Sequence, residues 1–525
     1  MRRLDCDILI LGSGAAGGTL AAALSELTSH SIILAEKGPH YSRTFFNQRE
    51  WDMNALYAEE GARATSDGAI VVRGGECVGG GTTVNLALSL DPLADVWAGW
   101  RRDHGLHGFS FETSASDHGV AGLNLASCLR EVRQRLNVHA PPDSAVNDNN
   151  RLFAAGCERL GIPTRRFELN MRGCIGCGFC GQGCAYDAKQ GTMVTYVADA
   201  VSHGVRLIHH FDVRAIEMSE RGGTARATGV HGSVRPTEPG SEPNSLSPGP
   251  VRIRAKLVIV SCGAIDSPAL LQRSGHPDPH DLIGRGLVLH TSLPVMAVMD
   301  REIVNYRGIA GTVYSDHYRE SHGFYYECLF GHPVYGSALL PGIGPDHFEV
   351  MRRYSQVAGF GVMLIDSVDR RNRVEWSAAR NRALIHYQLR EPDKRRLRFA
   401  AEKGVEIMFA AGAQAVLLPS EEPIGPLPYP HFHNPAEARH CAELQFLPHQ
   451  TTLTSAHAQA TVKMGEDART AVIDSRGESH RVRHLMVCDS SSFPASCGAN
   501  PMISIMAMAR YQGRRIAAEG ARYGL

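Results

Sequence analysis

Asp7-Ile8-Leu9-Ile10-Leu11-Gly12-Ser13-Gly14-Ala15-Ala16-Gly17 leads into an Ala/Leu-rich run ending at Leu27, and Ser31-Ile32-Ile33-Leu34-Ala35-Glu36 follows. An apolar run of strand length enters a glycine turn, the turn opens a helix-compatible segment, and a second apolar run ends on an acid. That order predicts a dinucleotide-binding βαβ unit and an α/β fold with a Rossmann-like domain. Gly12 permits the tight turn, Gly14 removes the side chain that would block a pyrophosphate, and Gly17 lets helix and strand pack closely. The helix N-terminus would face the phosphates with unpaired N–H groups, and Glu36 would accept hydrogen bonds from the adenosine ribose. The same glycines could form a turn without a ligand, but strand, helix, second strand and terminal acid in register favour the dinucleotide.

A chain of 525 residues exceeds one ordinary hydrophobic core and predicts interleaved domains. Its 43% hydrophobic and 21% charged content is that of a soluble globular protein, and a formal net charge of zero suggests neither nucleic acid nor an anionic membrane as a partner. No apolar stretch reaches the roughly 18 residues that argue for a membrane span. The run Ile8 to Leu11 is too short for a signal peptide and carries the glycine turn, so a cytoplasmic address is expected. Thirteen cysteines, an odd number with four in one cluster, do not read as a secreted disulfide framework.

Further along, Gly79-Gly80-Gly81-Thr82-Thr83-Val84-Asn85 offers a backbone that can lie against a flat ligand, or simply a flexible loop. Helices are expected from Leu123 to Leu136 and from Asn147 to Leu160, the second stopped by Gly161 and Pro163. Cys174-Ile-Gly-Cys177-Gly-Phe-Cys180-Gly-Gln-Gly-Cys184 has the C-x2-C-x2-C-x3-C spacing of bacterial ferredoxins, although Ala185 stands where proline usually follows. An iron–sulfur cluster, a zinc ion, and free or disulfide-bonded structural cysteines are the three readings of that run. Strand-like segments at Val205 to Glu217 and Val251 to Ser261 flank a polar loop, and Gly263 to Ser267 turns into a helix. Strand-like runs alternate with turns from about 290 to 450, with one helix from Lys394 to Ala411. Near the C-terminus come His457-Ala-Gln-Ala-Thr461-Val-Lys-Met464-Gly465, then Asp489, then Gly498-Ala-Asn500-Pro501 before a helix from Met502 to Ala517. Taken alone, His457 reads as a core or loop histidine, and Asn500 is equally a helix N-cap or a catalytic amide.

Together these stretches resemble the glucose-methanol-choline (GMC) oxidoreductases, in the order of that family, and the cysteine run resembles the branch containing long-chain alcohol oxidases. The family's HPxGTxxMG stands here as His457-Ala458-Gln459-Ala460-Thr461-Val462-Lys463-Met464-Gly465, with Pro and Gly both replaced by Ala. The resemblance implies FAD: pyrophosphate at Gly12, Gly14 and Gly17, ribose at Glu36, adenine near Val213, and flavin against Gly79, Gly80 and Asn85, with Asp489 also on the cofactor side. It implies an FAD-binding region at 1–290 that includes the 174–184 loop, a mainly substrate-binding region with an antiparallel sheet at 291–450, and a segment at 451–525 returning to the FAD domain with His457 and Asn500 facing the flavin. The expected reaction is oxidation of an alcohol to an aldehyde or ketone by hydride transfer to flavin N5, with His457 as general base and Asn500 donating to the developing alkoxide. The acceptor would be oxygen, a quinone or a redox protein, and the cysteine run favours a dehydrogenase over an oxidase. A GMC-type lyase with structural FAD and a flavin/iron–sulfur electron carrier are the rival readings.

Overall fold

The computed structural model describes residues 1–221 and 223–525. Its centre is β1 (Arg2–Leu11), whose residues Ile8 to Leu11 are at most 1% exposed. A strand covered on both faces reads as an uninterrupted apolar run and suits a parallel sheet. β1 indeed pairs in parallel with β2 (Ile32–Ala35), Ile8 opposite Ile32, and with the strand Gly249–Val260, Ile8 opposite Leu257. The helix α1 (Ala15–Leu27) crosses between β1 and β2.

Backbone packing alone dictates two of the glycines. Gly12 has φ 96°, and a Cβ there would lie 2.3 Å from the Ser261 carbonyl oxygen. A Cβ on Gly17 would lie 1.8 Å from the carbonyl oxygen of Gly12, so α1 can approach the turn only with hydrogen at that position.

Eight strands form the first sheet, in the order Val482–Arg483, Thr224–Val234, Gly249–Val260, β1, β2, Arg206–Ile208, with Phe211–Arg221 and Leu485–Val487 pairing beside that path. The sequence shows two strand-like segments on either side of a polar loop, whereas the structure has an antiparallel meander of three, Phe211–Arg221, Thr224–Val234 and Gly249–Val260. The middle strand escapes the sequence because Thr224-Ala-Arg-Ala-Thr-Gly-Val-His-Gly-Ser-Val234 is short of large apolar residues.

The second sheet has nine strands and is largely antiparallel, its spine running Ala415–Leu417, Ser292–Val298, Val357–Leu364, Phe324–Glu327, Val313–Ser315. The 20-residue helix Glu391–Ala410 packs on it through Leu397, Ala401, Val405 and Met408. The two sheets exchange chain. Ile70–Val72 joins the second sheet beside Leu453–Ser455, and Arg165–Arg166 joins its edge at Val313–Ser315. Conversely, Leu485–Val487 returns to the first sheet against Gly249–Val260. The last long helix, Met502–Ala518, lies on α1, where a Cβ on Gly513 would come within 2.6 Å of the Ala23 methyl. Among the described residues no helix is long and apolar enough to cross a membrane.

Candidate functional site

Three glycine-bearing segments meet at the start of α1. Gly14 occupies the N-cap and no side chain caps the helix, so its first N–H groups are open to an anion. A Cβ on Gly80 would lie 3.0 Å from Gly14 Cα, so bare backbone faces bare backbone here. Ser13 ties the segments together. Its Oγ accepts from the Gly79 N–H at 3.0 Å and donates to Glu36 Oε2 at 2.7 Å, and its own N–H donates to the same oxygen at 2.9 Å. Glu36 Oε1 accepts from the Gly38 N–H at 2.9 Å, which leaves that oxygen a further lone pair for a ribose hydroxyl. Burial raises the Glu36 pKa, opposed by these donors.

Asp489 is more fully engaged. Oδ2 accepts from the Gly263 N–H at 2.9 Å and Ser267 Oγ at 2.6 Å, while Oδ1 accepts from Ser491 N–H at 2.8 Å and Ser491 Oγ at 2.5 Å. An anion thus sits at the N-terminus of the helix Gly263–Arg273, where the dipole favours it. The carbonyl of Val213 accepts from the Arg273 guanidinium. Asn85 reaches the other way: its Nδ2 contacts Met502 Sδ at 2.9 Å, at the first residue of the terminal helix, and its Oδ1 accepts from the Ala87 N–H at 3.2 Å.

His457 follows the strand Leu453–Ser455. Beyond it, Ala460, Val462 and Met464 donate backbone N–H groups to the carbonyls of Ser490, Ser491 and Ser492, and Thr461 Oγ1 donates to Ala264 O at 2.7 Å. The segment carrying His457 is therefore clamped to the segment carrying Asp489 and to the helix Gly263–Arg273. The His457 ring keeps some contact with solvent, but its Nδ1 is buried and has no hydrogen-bond partner. Desolvation, then the neighbouring His290, pushes its pKa down to about 3, so the imidazole is neutral at physiological pH.

Asn500 is not the N-cap of the terminal helix. Pro501 holds that position without a side-chain cap, and Asn500 Oδ1 instead accepts from the Tyr325 hydroxyl at 3.3 Å. Its side chain is committed sideways to the second sheet, which frees it from the local role that the sequence allowed.

Four residues around this wall carry no signal in the sequence. His290, fully buried, stands edge-on to His457 with ring centroids 5.8 Å apart, and its Nε2 pairs with Ser496 Oγ at 2.5 Å. Gln459 Nε2 donates to the His457 carbonyl at 3.0 Å and its Oε1 accepts from the Cys497 N–H at 2.9 Å, tying the His457 loop to the loop that ends in Asn500. Tyr325 and Glu327 are two apart on the strand Phe324–Glu327 and so share a face. Glu327 is 1% exposed with no partner on Oε1; burial pushes its carboxyl up to about 7, opposed by the Asn500 amide. A strand-like stretch in the middle of the chain gives no hint of this, because the acid acquires its role only where the strand crosses Asn500.

Cys174, Cys177, Cys180 and Cys184 line one cavity, and none is in a disulfide. Among the described residues no three His, Cys, Asp or Glu side chains converge to hold a single metal ion, which removes the support for zinc.

A Rossmann unit with an uncapped helix and an acid at the end of β2, beside a second sheet that carries Glu327 and is met by the loops of His457 and Asn500, defines an α/β protein of dinucleotide-binding type. Family models described as GMC oxidoreductase match residues 53–292 and 368–509, and the chain belongs to the GMC oxidoreductase family. It is 29% identical over 513 residues to an uncharacterized GMC-type oxidoreductase of Mycobacterium tuberculosis, covering 96% of this chain and 74% of that protein. A long-chain-alcohol oxidase of Arabidopsis thaliana is 26% identical over 533 residues, covering 97% of this chain and 68% of that one. In fold, the chain superposes on pyridoxine 4-oxidase from Mesorbium loti with a TM-score of 0.63 at 18% identity, covering 97% of this chain and 99% of that one. The Aspergillus oryzae formate oxidase gives 0.67 at 14%, covering 99% of both chains.

The family implies FAD, and the residues fit it. The open α1 N-terminus and the facing Gly80 backbone suit a pyrophosphate, and Glu36 retains acceptor capacity for a ribose.

Proposed function

We propose that the protein oxidises the CH–OH group of an alcohol to an aldehyde or ketone. FAD would be held at Gly12, Gly14, Gly17, Glu36, Gly79, Gly80 and Asn85, with Val213 and Asp489 shaping the backbone around it; when bound, it supplies the two-electron acceptor. The observation that carries this reading is the buried Nδ1 of His457, which has no protein partner and belongs to a ring kept neutral by desolvation. Neutral imidazole is the form that can take the hydroxyl proton, and negative charge developing on the substrate oxygen beside it raises its affinity for that proton. Asn500, held by Tyr325, donates to the developing alkoxide without competing for the proton. Glu327, raised to about 7 by burial, is half protonated at neutral pH and mostly so below it, which lessens the standing negative charge on that wall. The electrons leave to an acceptor other than oxygen, a preference that rests on the cysteine loop.

The test is anaerobic mixing of the FAD-loaded chain with a panel of primary and secondary alcohols, read as bleaching of the flavin absorbance. Bleaching by at least one alcohol, slowed about 10²- to 10⁴-fold in His457→Ala, is the expected result. A chain that converts a substrate without any bleaching is a lyase, and the oxidation reading fails. Faster recovery with a quinone or dye than with oxygen supports the dehydrogenase, and the reverse makes it an oxidase.

A further inference from the structure

The alcohol-oxidising wall makes no use of the cysteine loop, yet this loop is built with as much care as the wall. It is anchored on a small apolar core of Phe167, Leu169, Met171 and Ile309, into which Cys180 itself is packed. Gly308 donates its N–H to the Gly176 carbonyl at 2.9 Å, pinning the loop to a distant segment of chain. Gly178, at φ 89°, turns the chain where a side chain would run into the Tyr306 carbonyl, 2.6 Å from its Cβ position. The four thiols line a common cavity that opens to solvent at its mouth.

Backbone N–H groups already address two of the sulfurs: Gly176 donates to Cys174 Sγ at 3.4 Å and Lys189 to Cys184 Sγ at 3.5 Å. The Lys189 side chain is buried on the same wall, and its ammonium donates to the carbonyls of Cys180 at 2.5 Å, Thr83 at 2.7 Å and Asn85 at 2.8 Å. A fixed cation thus borders the cavity and bridges it to the Gly79–Asn85 segment.

We propose that this cavity binds a [4Fe–4S] cluster through Cys174, Cys177, Cys180 and Cys184. In a cubane each thiolate binds a different iron, so the four sulfurs surround the cluster instead of converging on a point. This reconciles four thiols around one cavity with the absence, among the described residues, of a site for a single ion. The cluster with four thiolates is an anion; the two backbone N–H groups on sulfur are donors to it, and the Lys189 ammonium, its three protons taken by carbonyls, contributes positive charge beside it. Lys189 is a positioning residue: it holds the cluster loop against the segment that carries Asn85.

The experiment uses the full chain purified under nitrogen, before and after incubation with ferrous iron, sulfide and a thiol. About four iron atoms and four acid-labile sulfides per chain are expected, with an electron paramagnetic resonance signal after dithionite reduction. Cys180→Ser should reduce both counts several-fold while Cys6→Ser, in β1 of the first sheet, leaves them unchanged; circular dichroism verifies that each variant is folded. Iron and sulfide both near zero in reconstituted wild type would overturn the proposal, as would one metal per chain without sulfide. Full counts in a folded Cys180→Ser chain would do the same. The readout is independent of alcohol turnover: a chain holding iron and sulfide but never bleached by an alcohol keeps the cluster and loses the oxidation reading.

Discussion

At the dinucleotide end the carboxylates are engaged by the protein's own donors: Glu36 takes three N–H or O–H bonds and Asp489 four. Beside it, where the second sheet meets the C-terminal segment, His457 Nδ1 and Glu327 Oε1 are buried and bare. The first arrangement shapes backbone, and a ligand there meets N–H groups and glycine. The second leaves polar atoms with nothing to bind, a costly state in a native protein unless a ligand relieves it. The first region is a mould, and on the proposed function the second is a reagent surface.

The contrast breaks most visibly at Gly17. With its Cβ position 1.8 Å from the Gly12 carbonyl oxygen, Gly17→Ala should abolish FAD uptake and yield insoluble chain, measured as flavin per protein in the soluble fraction. The reagent surface should respond in the opposite way: His457→Ala retains FAD and melting temperature but loses about 10²- to 10⁴-fold in kcat. If FAD content falls in step with kcat, the division between the two ends is wrong. Asp489→Asn tests the mould more gently. The amide cannot accept with both atoms, a buried donor loses its partner, and a loss of about 1–3 kcal/mol is expected in denaturant unfolding, with kcat of the FAD-loaded fraction little changed.

The smallest effect is in pH dependence. The folded-state pKa of His457 falls from 6.5 to about 3, so its contribution to stability is complete above pH 6.5 and is lost as pH falls toward 3. Glu327 runs the other way. Raised from 4.5 to about 7, it contributes fully below pH 4.5 and loses that contribution as pH rises through 7. Melting temperatures across this range should show the acid limb flattened in His457→Gln and the neutral limb flattened in Glu327→Gln. Parallel curves for both variants and wild type would remove the electrostatic half of the comparison.

The mould was legible in the sequence because its parts are local. Strand, turn, helix and terminal acid lie within Asp7 to Glu36, and each glycine answers to a neighbour close in sequence or to a sheet partner. The cysteine loop was legible for the same reason. The reagent surface was legible only in part. His457 and Asn500 stand out through family resemblance, but Asn500 reads locally as an N-cap until Tyr325, 175 positions away, is seen to hold it. His290, Glu327 and Tyr325 are invisible because their meaning arises from pairing between distant strands, and nothing in a short window records that pairing.

The order of strands in the first sheet also sets a timetable for biosynthesis. β1 is translated well before Leu485–Val487, which completes its neighbour Gly249–Val260, and α1 well before Met502–Ala518, which roofs it. Both must wait for these distant segments before their apolar surfaces are sealed. Nascent chains should therefore depend on chaperones until Met502–Ala518 has been made, and the α1 end of the fold stays unsealed before then.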